Sequence, residues 1–295
     1  MWHSSAGLYC YDFEGKELWS RDLGVVRHIW GYGTSPILHG GKVFLNTGPG
    51  EKQFMTALDL ETGTTLWSAE EPGASTGEKG SGGWIGSWST AIVAEIDGRE
   101  QVLCSHPTRV VAYDPETGDI LWSCEGLANL PRGNLVYTSL MIGDGYCVAM
   151  GGYGGPSMGF KLGGSGNVTE TNRLWHQTQR NPQRIGSGVI LDKRLYMANA
   201  GPGTAQCIDV PTGEILWQER LDGGNHWGST ILADGRLYAT NQQGTTHIFK
   251  PNPEKYEPVA SNALGEATNA TPAVSDGQIF IRTAKSLFCI GESKN

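Results

Sequence analysis

One phrase recurs five times along this chain of 295 residues: an apolar strand, a turn built on Asp and Gly, and then a hydrophobic residue followed by Trp. The Trp residues that end the five copies are 48, 55, 53 and 42 positions apart. They are Trp19, Trp67, Trp122, Trp175 and Trp217, and the copy that ends in Trp175 is degenerate. A repeat of roughly forty to fifty residues that contains several strand-like runs is typical of a β-propeller, in which each repeat folds into one blade.

The rest of the sequence agrees with an all-β fold. Gly is abundant, with 43 residues, and no segment keeps apolar residues at helical spacing over several turns. The sequence therefore predicts a β-propeller of four-stranded antiparallel blades with almost no helix. Because the blades of a propeller stabilise one another in a closed ring, we expect one domain covering residues 1–295.

Charge and hydropathy exclude several classes of function. The net charge of −8 and the absence of a dense Lys/Arg cluster argue against nucleic acid as a partner. No run of about 18 apolar residues occurs, so we expect no transmembrane segment. The first five residues lack the basic and apolar regions of a secretory signal, so none is expected in this sequence. We expect a monomer.

A second motif marks where the blades begin. Each full repeat opens with a small hydroxyl residue just before an apolar strand. Six such residues are in register: Ser35, Thr90, Ser139, Ser187, Ser229 and Thr271. They predict blades at about 34–70, 89–125, 138–178, 187–221, 228–264, and a composite last blade made of 271–290 and 1–23.

The two ends of the sequence fit this scheme incompletely. The repeat that ends in Trp19 has no opening strand, and the last repeat stops after three strands. Residues Glu17 to Leu23 could supply the missing fourth strand, but the third strand would then occur twice, at 8–11 and at 287–290. We therefore expect about six complete or composite blades, a truncated N-terminal blade, and a longer parent protein with seven or eight blades.

The repeated Trp and Asp residues are interpreted as scaffold. A large flat ring at the end of each outer strand can fill the space between neighbouring blades, and the Asp side chain can accept hydrogen bonds from its own turn. The six Cys residues show no zinc-type spacing. Cys10, Cys207 and Cys289 occupy the slot held elsewhere by Ala57 and Ala112, which is typical of a tight core position. We expect these three, and also Cys104, Cys124 and Cys147, to be free and buried.

The phrase Asp-x-x-Thr-Gly-x-x-Leu-Trp, present at 59–67, 114–122 and 209–217, resembles the tryptophan-docking repeat of the pyrroloquinoline quinone (PQQ)-like propellers. That superfamily contains quinoprotein alcohol dehydrogenases and BamB-like lipoproteins of outer-membrane β-barrel assembly. The dehydrogenases hold PQQ between a Trp and a disulfide of adjacent Cys residues, with Ca2+ or a lanthanide bound by Glu, Asn and Asp. No adjacent Cys pair occurs here, so the resemblance implies the BamB-like branch, the bacterial cell envelope and no cofactor.

The segments that precede the opening strands form one rim of a propeller, and here they are rich in aromatic residues. The candidate binding residues at this axial mouth are His28, Trp30, Tyr32, Trp84, Trp88, Tyr137, Arg184, His226 and Trp227. Such residues can stack a sugar or planar ligand or anchor a peptide, although they could also simply fill the narrow end of the channel. No third ligand or carboxylate is in register with the His residues, so we predict neither a catalytic residue nor a metal site.

The sequence thus predicts a non-catalytic binding scaffold that takes a protein, a glycan or a small ligand at the mouth. Two alternatives remain open: an oxidoreductase that depends on PQQ and Ca2+, and a carbohydrate-binding propeller. The Gly-rich stretch 151–166 lacks the Lys-Ser/Thr ending of a phosphate loop and is interpreted as a flexible hairpin connection.

Overall fold

The computed structural model describes residues 1–73, 75–79, 83–129, 133–179 and 181–291. Within these ranges the protein is built almost entirely from short antiparallel strands, with one 3₁₀ turn at Ser4–Ala6 and one short helix, α1 (Thr169–Asn172). The predicted all-β propeller of four-stranded blades is confirmed.

The chain starts with the N-terminal sheet, β1 (Leu8–Tyr11) and β2 (Glu17–Arg21). The first blade is β3 (Ile37–His39), β4 (Lys42–Asn46), β5 (Phe54–Asp59) and β6 (Thr65–Glu70). After the short strand β7 (Ile85–Ser87), the second blade is β8 (Ile92–Ile96), β9 (Arg99–Ser105), β10 (Arg109–Tyr113) and β11 (Ile120–Glu125).

Strand β12 (Asn134–Val136) pairs in parallel with β7. The third blade is β13 (Met141–Gly143), β14 (Tyr146–Met150), β15 (Ser157–Lys161) and, after β16 (Gly166–Asn167) and α1, β17 (Arg173–Gln177). The fourth blade is β18 (Val189–Leu191), β19 (Arg194–Ala198), β20 (Thr204–Asp209) and β21 (Ile215–Arg220). The fifth blade is β22 (Ile231–Ala233), β23 (Arg236–Thr240), β24 (Thr245–Lys250) and β25 (Glu257–Ala263). The terminal sheet is β26 (Ala273–Ser275), β27 (Gln278–Arg282) and β28 (Leu287–Ile290).

The expected composite last blade is not formed. Strand β2 pairs antiparallel with β1, so the residues expected to complete the terminal sheet lie in the N-terminal sheet instead. Among the described residues, β28 pairs with β27 alone and has a free outer edge. The described chain thus contains five blades of four antiparallel strands, the second extended by β16, and the separate β7–β12 pair. A two-stranded sheet and a three-stranded sheet flank the blades.

Tight hairpins join the first and second strands of several blades. At Asp97-Gly98, Asp144-Gly145 and Asp234-Gly235 both residues have positive φ, between 46° and 80°. This is the type I′ turn, whose twist matches that of the flanking strands, and Asp and Gly tolerate it better than other residues. The Asp-Gly pairs therefore set the register of the innermost strands.

Four of the five repeated Trp residues connect one sheet to the next. The indole N–H of Trp19 donates to the Leu60 carbonyl at 3.0 Å, and that of Trp67 donates to the Pro115 carbonyl at 3.0 Å. Trp175 and Trp217 make the same bond to Val210 and Asn252, at 2.7 and 2.8 Å. Each acceptor lies in the turn between the third and fourth strands of the following blade.

The Trp ring lies directly against the Gly of the turn that accepts its hydrogen bond. A Cβ added to Gly63, Gly118 or Gly213 would lie 2.5–2.6 Å from the ring of Trp19, Trp67 or Trp175, respectively. The Asp of the same turn holds the loop in shape: Asp59 Oδ1 accepts from the backbone N–H groups of Glu61 and Thr62. The Asp, the Gly and the Trp of the repeat therefore form one docking unit.

Trp122 departs from this pattern. Its ring is fully buried and its N–H donates to Gln101 Oε1 at 2.8 Å, within the same blade. The third blade lacks the Asp-Thr-Gly turn after β15, and the insertion that carries β16 and α1 occupies this place, with β16 paired to β11. The degenerate copy of the repeat, which ends in Trp175, therefore corresponds to a different contact between the second and third blades.

The Cys and Ala slot is explained by the same Trp residues. Ala57, Ala112 and Cys207 are the cross-strand partners of Trp67, Trp122 and Trp217, and all three are fully buried. Cys10 pairs with Trp19 in the same way but is half-buried. Cys289 is exposed, and no fourth strand lies beside it in the part of the chain that the structure describes. All six thiols are free, as expected, but the prediction that all are buried is wrong for Cys10 and Cys289.

The opening hydroxyl residues link the blades around the axis. The backbone N–H of each donates to the side-chain oxygen of the next, at 2.9 to 3.1 Å. The five bonds run from Ser35 to Thr90, Ser139, Ser187, Ser229 and finally Thr271. Each hydroxyl oxygen gives the backbone N–H of the preceding blade a hydrogen-bond acceptor, which explains why a small hydroxyl residue recurs at the start of each blade.

Candidate functional site

Most of the wall of the axial mouth comes from residues at the same position in each repeat. The residue two places before each opening hydroxyl lines a common cavity, and these six residues are Gly33, Trp88, Tyr137, Ile185, Trp227 and Asn269. Side chains alternate between two faces in extended backbone. The residues one and three places before the hydroxyl are mostly buried instead, so the short segment before each blade presents alternate side chains to the mouth.

The cavity has a volume of about 850 Å³, which is the size of a small-molecule or peptide-segment site. Apart from the six register residues, it is lined by Trp30, Tyr32, Tyr153, Gln183 and Arg282. Trp30, Tyr32 and Trp227 each keep about 40% of their surface exposed. Aromatic rings, two amides and one guanidinium therefore face the same cavity.

The rings at one side of the mouth contact one another. The Trp30 ring centroid lies 5.3 Å from that of Trp84 and 5.7 Å from that of Tyr153, and Trp84 stacks on Tyr153 at 5.8 Å. Trp88 is fixed by donating its indole N–H to the Gly31 carbonyl at 3.1 Å. Trp84 supports this cluster but is not among the residues that line the cavity. The rings therefore hold one another in fixed positions.

Two of the predicted mouth residues lie elsewhere. Arg184 and His226 are three places before the opening hydroxyls, and both are buried, at 3% and 0% exposure. Arg184 lines a separate groove between the third and fourth blades. His226 packs against His247, with ring centroids 5.7 Å apart, and burial lowers the pKa of His226 to about 4. Placing them in the mouth was therefore wrong, because adjacent residues of an extended segment face opposite sides.

His28 is a supporting residue rather than a surface one. It is 7% exposed and lies beneath Trp30 and Trp88, with ring centroids at 5.2 and 4.9 Å. Its Nδ1 accepts the backbone N–H of Trp30 at 3.2 Å, and burial lowers its pKa. A neutral, buried imidazole of this kind fixes the position of the rings above it.

The sequence interpretation missed several residues of the mouth. Three of them could have been predicted from the sequence. Ile185 and Asn269 occupy the same position in their repeats as Trp88, and Gln183 lies two residues before Ile185 on the same face. Tyr153 comes from the Gly-rich connection between β14 and β15, and Arg282 ends β27. These two reach the mouth only because the blades are arranged around one axis.

The residues at the mouth do not fit PQQ with Ca2+. Among the described residues that line the cavity none is Asp or Glu, the residues that supply the negative charge of a protein Ca2+ site. Nor is any group of three or more His, Cys, Asp or Glu placed to hold a metal ion within the described ranges. An adjacent Cys pair, which the dehydrogenases use against the quinone, does not occur in the sequence.

The four-stranded blades, the blade-to-blade Trp contacts and the open axial cavity define a tryptophan-docked β-propeller. The chain belongs to the family described as outer membrane protein assembly factor BamB, whose model matches residues 3–219 and 201–292. Among curated proteins none matches this sequence.

Two solved structures show the similarity of fold. BamB from Moraxella catarrhalis is 17% identical, with a TM-score of 0.70 over 97% of this chain and 78% of that chain. The C-terminal WD40 domain of Sif2 is 10% identical, with a TM-score of 0.66 over 96% of this chain and 74% of that chain. No helix in the described ranges is long and apolar enough to cross a membrane.

Proposed function

We propose that this protein is a non-catalytic, monomeric binding propeller of the bacterial cell envelope, and that the axial mouth holds its partner. The observation that carries the proposal is the cavity of about 850 Å³, in which exposed aromatic rings converge with Gln183, Asn269 and Arg282. Partly exposed Trp and Tyr side chains at a concave site are the residues that anchor protein partners most strongly. Membership of the BamB family supports an envelope location and a protein partner.

A carbohydrate ligand is the second candidate. Rings can stack on the apolar face of a sugar, while the amides of Gln183 and Asn269 can hydrogen-bond to its hydroxyl groups. The mouth offers both kinds of group in one cavity. No redox cofactor is part of the proposal, because the donor set of the mouth lacks the carboxylates that a Ca2+-quinone site needs.

Site-specific photo-cross-linking tests the main proposal. A benzoylphenylalanine placed at Tyr32 lies on the wall of the mouth, whereas the same residue at Phe13 lies fully exposed in the turn between β1 and β2. In intact cell envelopes we expect a discrete protein adduct from position 32, weakened by Trp227→Ala, and none from position 13. Equal adducts from both positions, or none from position 32, would contradict a protein partner at the mouth.

The second candidate and the enzyme alternative are tested by titration. Chitohexaose and maltoheptaose are added to the purified protein while its Trp fluorescence is followed, and PQQ with Ca2+ is added in a parallel series together with a dye-linked alcohol oxidation assay. Saturable quenching by a glycan, lost in Trp227→Ala, would establish the carbohydrate site. Quinone-dependent turnover would overturn the non-catalytic proposal.

A further inference from the structure

Arg184 is a buried guanidinium that has no carboxylate partner among the residues that the structure describes. Its side chain lines a groove of about 380 Å³ between the third and fourth blades and is only 3% exposed. One N–H donates to Asn181 Oδ1 at 3.2 Å, a neutral acceptor, while the buried Nε has no hydrogen-bond partner among the described residues. Burial lowers the pKa of Arg184 to about 10, so the side chain still carries its charge at neutral pH.

An unpaired buried charge is costly, and natural proteins retain one mainly where something compensates it. Guanidinium has five N–H donors in a planar fork that matches a carboxylate or phosphate. Among the described residues that line the groove none is Asp or Glu. Arg184 is therefore a buried positive charge that no carboxylate in the described lining of the groove neutralises.

The groove next to Arg184 has a polar part, in which hydrogen bonds fix Asn181, and an apolar part. Asn181 Oδ1 also accepts from Ser157 Oγ at 3.1 Å, and Asn181 Nδ2 donates to the Gln177 carbonyl, so the amide is fixed with its oxygen toward the guanidinium. Further along, the groove is lined by apolar side chains from both blades. These are Trp175, Pro182, Ile208 and Ile215.

We propose that this groove binds an organic anion, with its carboxylate on Arg184 and its apolar body along Trp175, Ile208 and Ile215. The site is separate from the mouth, because Gln183 and Ile185 face the mouth while Arg184, between them, faces the groove. It does not depend on the proposed function of the mouth.

Thermal unfolding in sodium hexanoate, sodium acetate and sodium chloride at equal ionic strength tests this inference. A ligand that binds the folded state raises Tm by mass action, so we expect a saturable rise of about 2–4 °C with hexanoate and a smaller one with acetate, relative to chloride. Arg184→Met, which keeps the side chain's bulk, should lose the rise. Arg220→Gln removes an exposed Arg at the end of β21 and should retain it.

Asn181→Asp gives an independent test that does not remove the Arg. The new carboxylate lies next to the guanidinium and supplies the missing anion from within the chain. This variant should therefore have a higher Tm than the wild type in chloride and no saturable response to hexanoate. A wild type that responds equally to all three salts, or an Asn181→Asp protein that responds as the wild type does, would overturn the proposal.

Discussion

The outer edge and the mouth of this propeller both rely on Trp, but in opposite ways. At the outer edge, Trp67 is 8% exposed and bonded to a carbonyl 48 residues along the chain, in the next blade. At the mouth, Trp30 and Trp227 are about 40% exposed and face a cavity. The Trp residues that recur with the repeat therefore contact residues of the same chain, whereas Trp30 and Trp227, which stand outside the repeat, keep a surface that a ligand can contact.

Removal of one ring from each region should separate the two roles most strongly. Trp67→Ala deletes a large buried side chain and its hydrogen bond, so we expect a loss of about 3–5 kcal/mol in the free energy of unfolding. Trp227→Ala removes a half-exposed ring and should cost less than about 1 kcal/mol. Calorimetry of both variants measures the contrast, and equal losses would remove the distinction between scaffold and mouth.

A pair of Gly substitutions tests how closely the outer Trp residues fit their turns. Gly118 has φ +75°, and an added Cβ would lie 2.6 Å from the Trp67 ring, whereas Gly98 has φ +73° with open space around it. Both Ala variants pay the strain of positive φ, about 1 kcal/mol. Only Gly118→Ala adds a clash, so it should lose about 1–3 kcal/mol more than Gly98→Ala in urea unfolding. Equal losses would show that the ring does not dock on this turn.

His226 and Trp227 are sequence neighbours on opposite faces of the segment. Lowering the pH should therefore change the contribution of His226 to the free energy of unfolding and leave that of Trp227 unchanged. The folded pKa of His226 is about 4, below the usual value near 6.5, so the unfolded chain takes up the proton first as the pH falls. The stabilisation that the neutral His226 imidazole contributes is fully present above about pH 6.5 and is lost as the pH falls from about 6.5 to 4. At pH 5 the free energy of unfolding is lower by about 2 kcal/mol.

Unfolding of the wild type and His226→Leu at pH 7 and pH 5 measures this contribution. The variant should lose less stability between the two pH values, while Trp227→Ala should follow the wild type. An unchanged pH dependence in His226→Leu would place the imidazole in contact with solvent, as the sequence interpretation had it.

The smallest change in the free energy of unfolding is expected at Cys289, which has no Trp opposite it among the described residues. Cys289 occupies the slot that faces a Trp in the blades but is exposed on β28, whereas Cys207 is fully buried opposite Trp217. Cys289→Ser should change the free energy of unfolding by less than about 0.5 kcal/mol. In the native protein a thiol reagent should label Cys289 first and Cys207 only after unfolding; rapid labelling of Cys207 would contradict the predicted packing.

Much of the outer layer could be predicted from the sequence because its contacts are local and repeated. Trp, Asp and Gly recur at fixed offsets, and each docking contact joins neighbouring repeats. The composite blade was predicted wrongly because strand pairing at the ends of the ring is not specified by any repeat. Strand β2 has a closer partner in β1 than in a strand over two hundred and fifty residues away.

The mouth was predictable only in part. Trp88, Tyr137 and Trp227 were found because ring residues stand out in the sequence, and Asn269 was missed although it shares their register. Arg184 was assigned to the wrong face because composition was considered without the alternation of an extended segment. Tyr153 and Arg282 come from other loops, so their position depends on how the blades are arranged around the axis.

The most direct test of this division is the solvent exposure of each Trp, measured by fluorine NMR of protein labelled with 5-fluorotryptophan. Single Trp→Phe variants assign the signals, and a soluble gadolinium chelate then broadens those near solvent. We predict strong broadening for Trp30, Trp84 and Trp227, and little for Trp67 and Trp122. Protection of the mouth signals equal to that of Trp67 and Trp122 would show that the cavity is closed and would contradict a binding mouth.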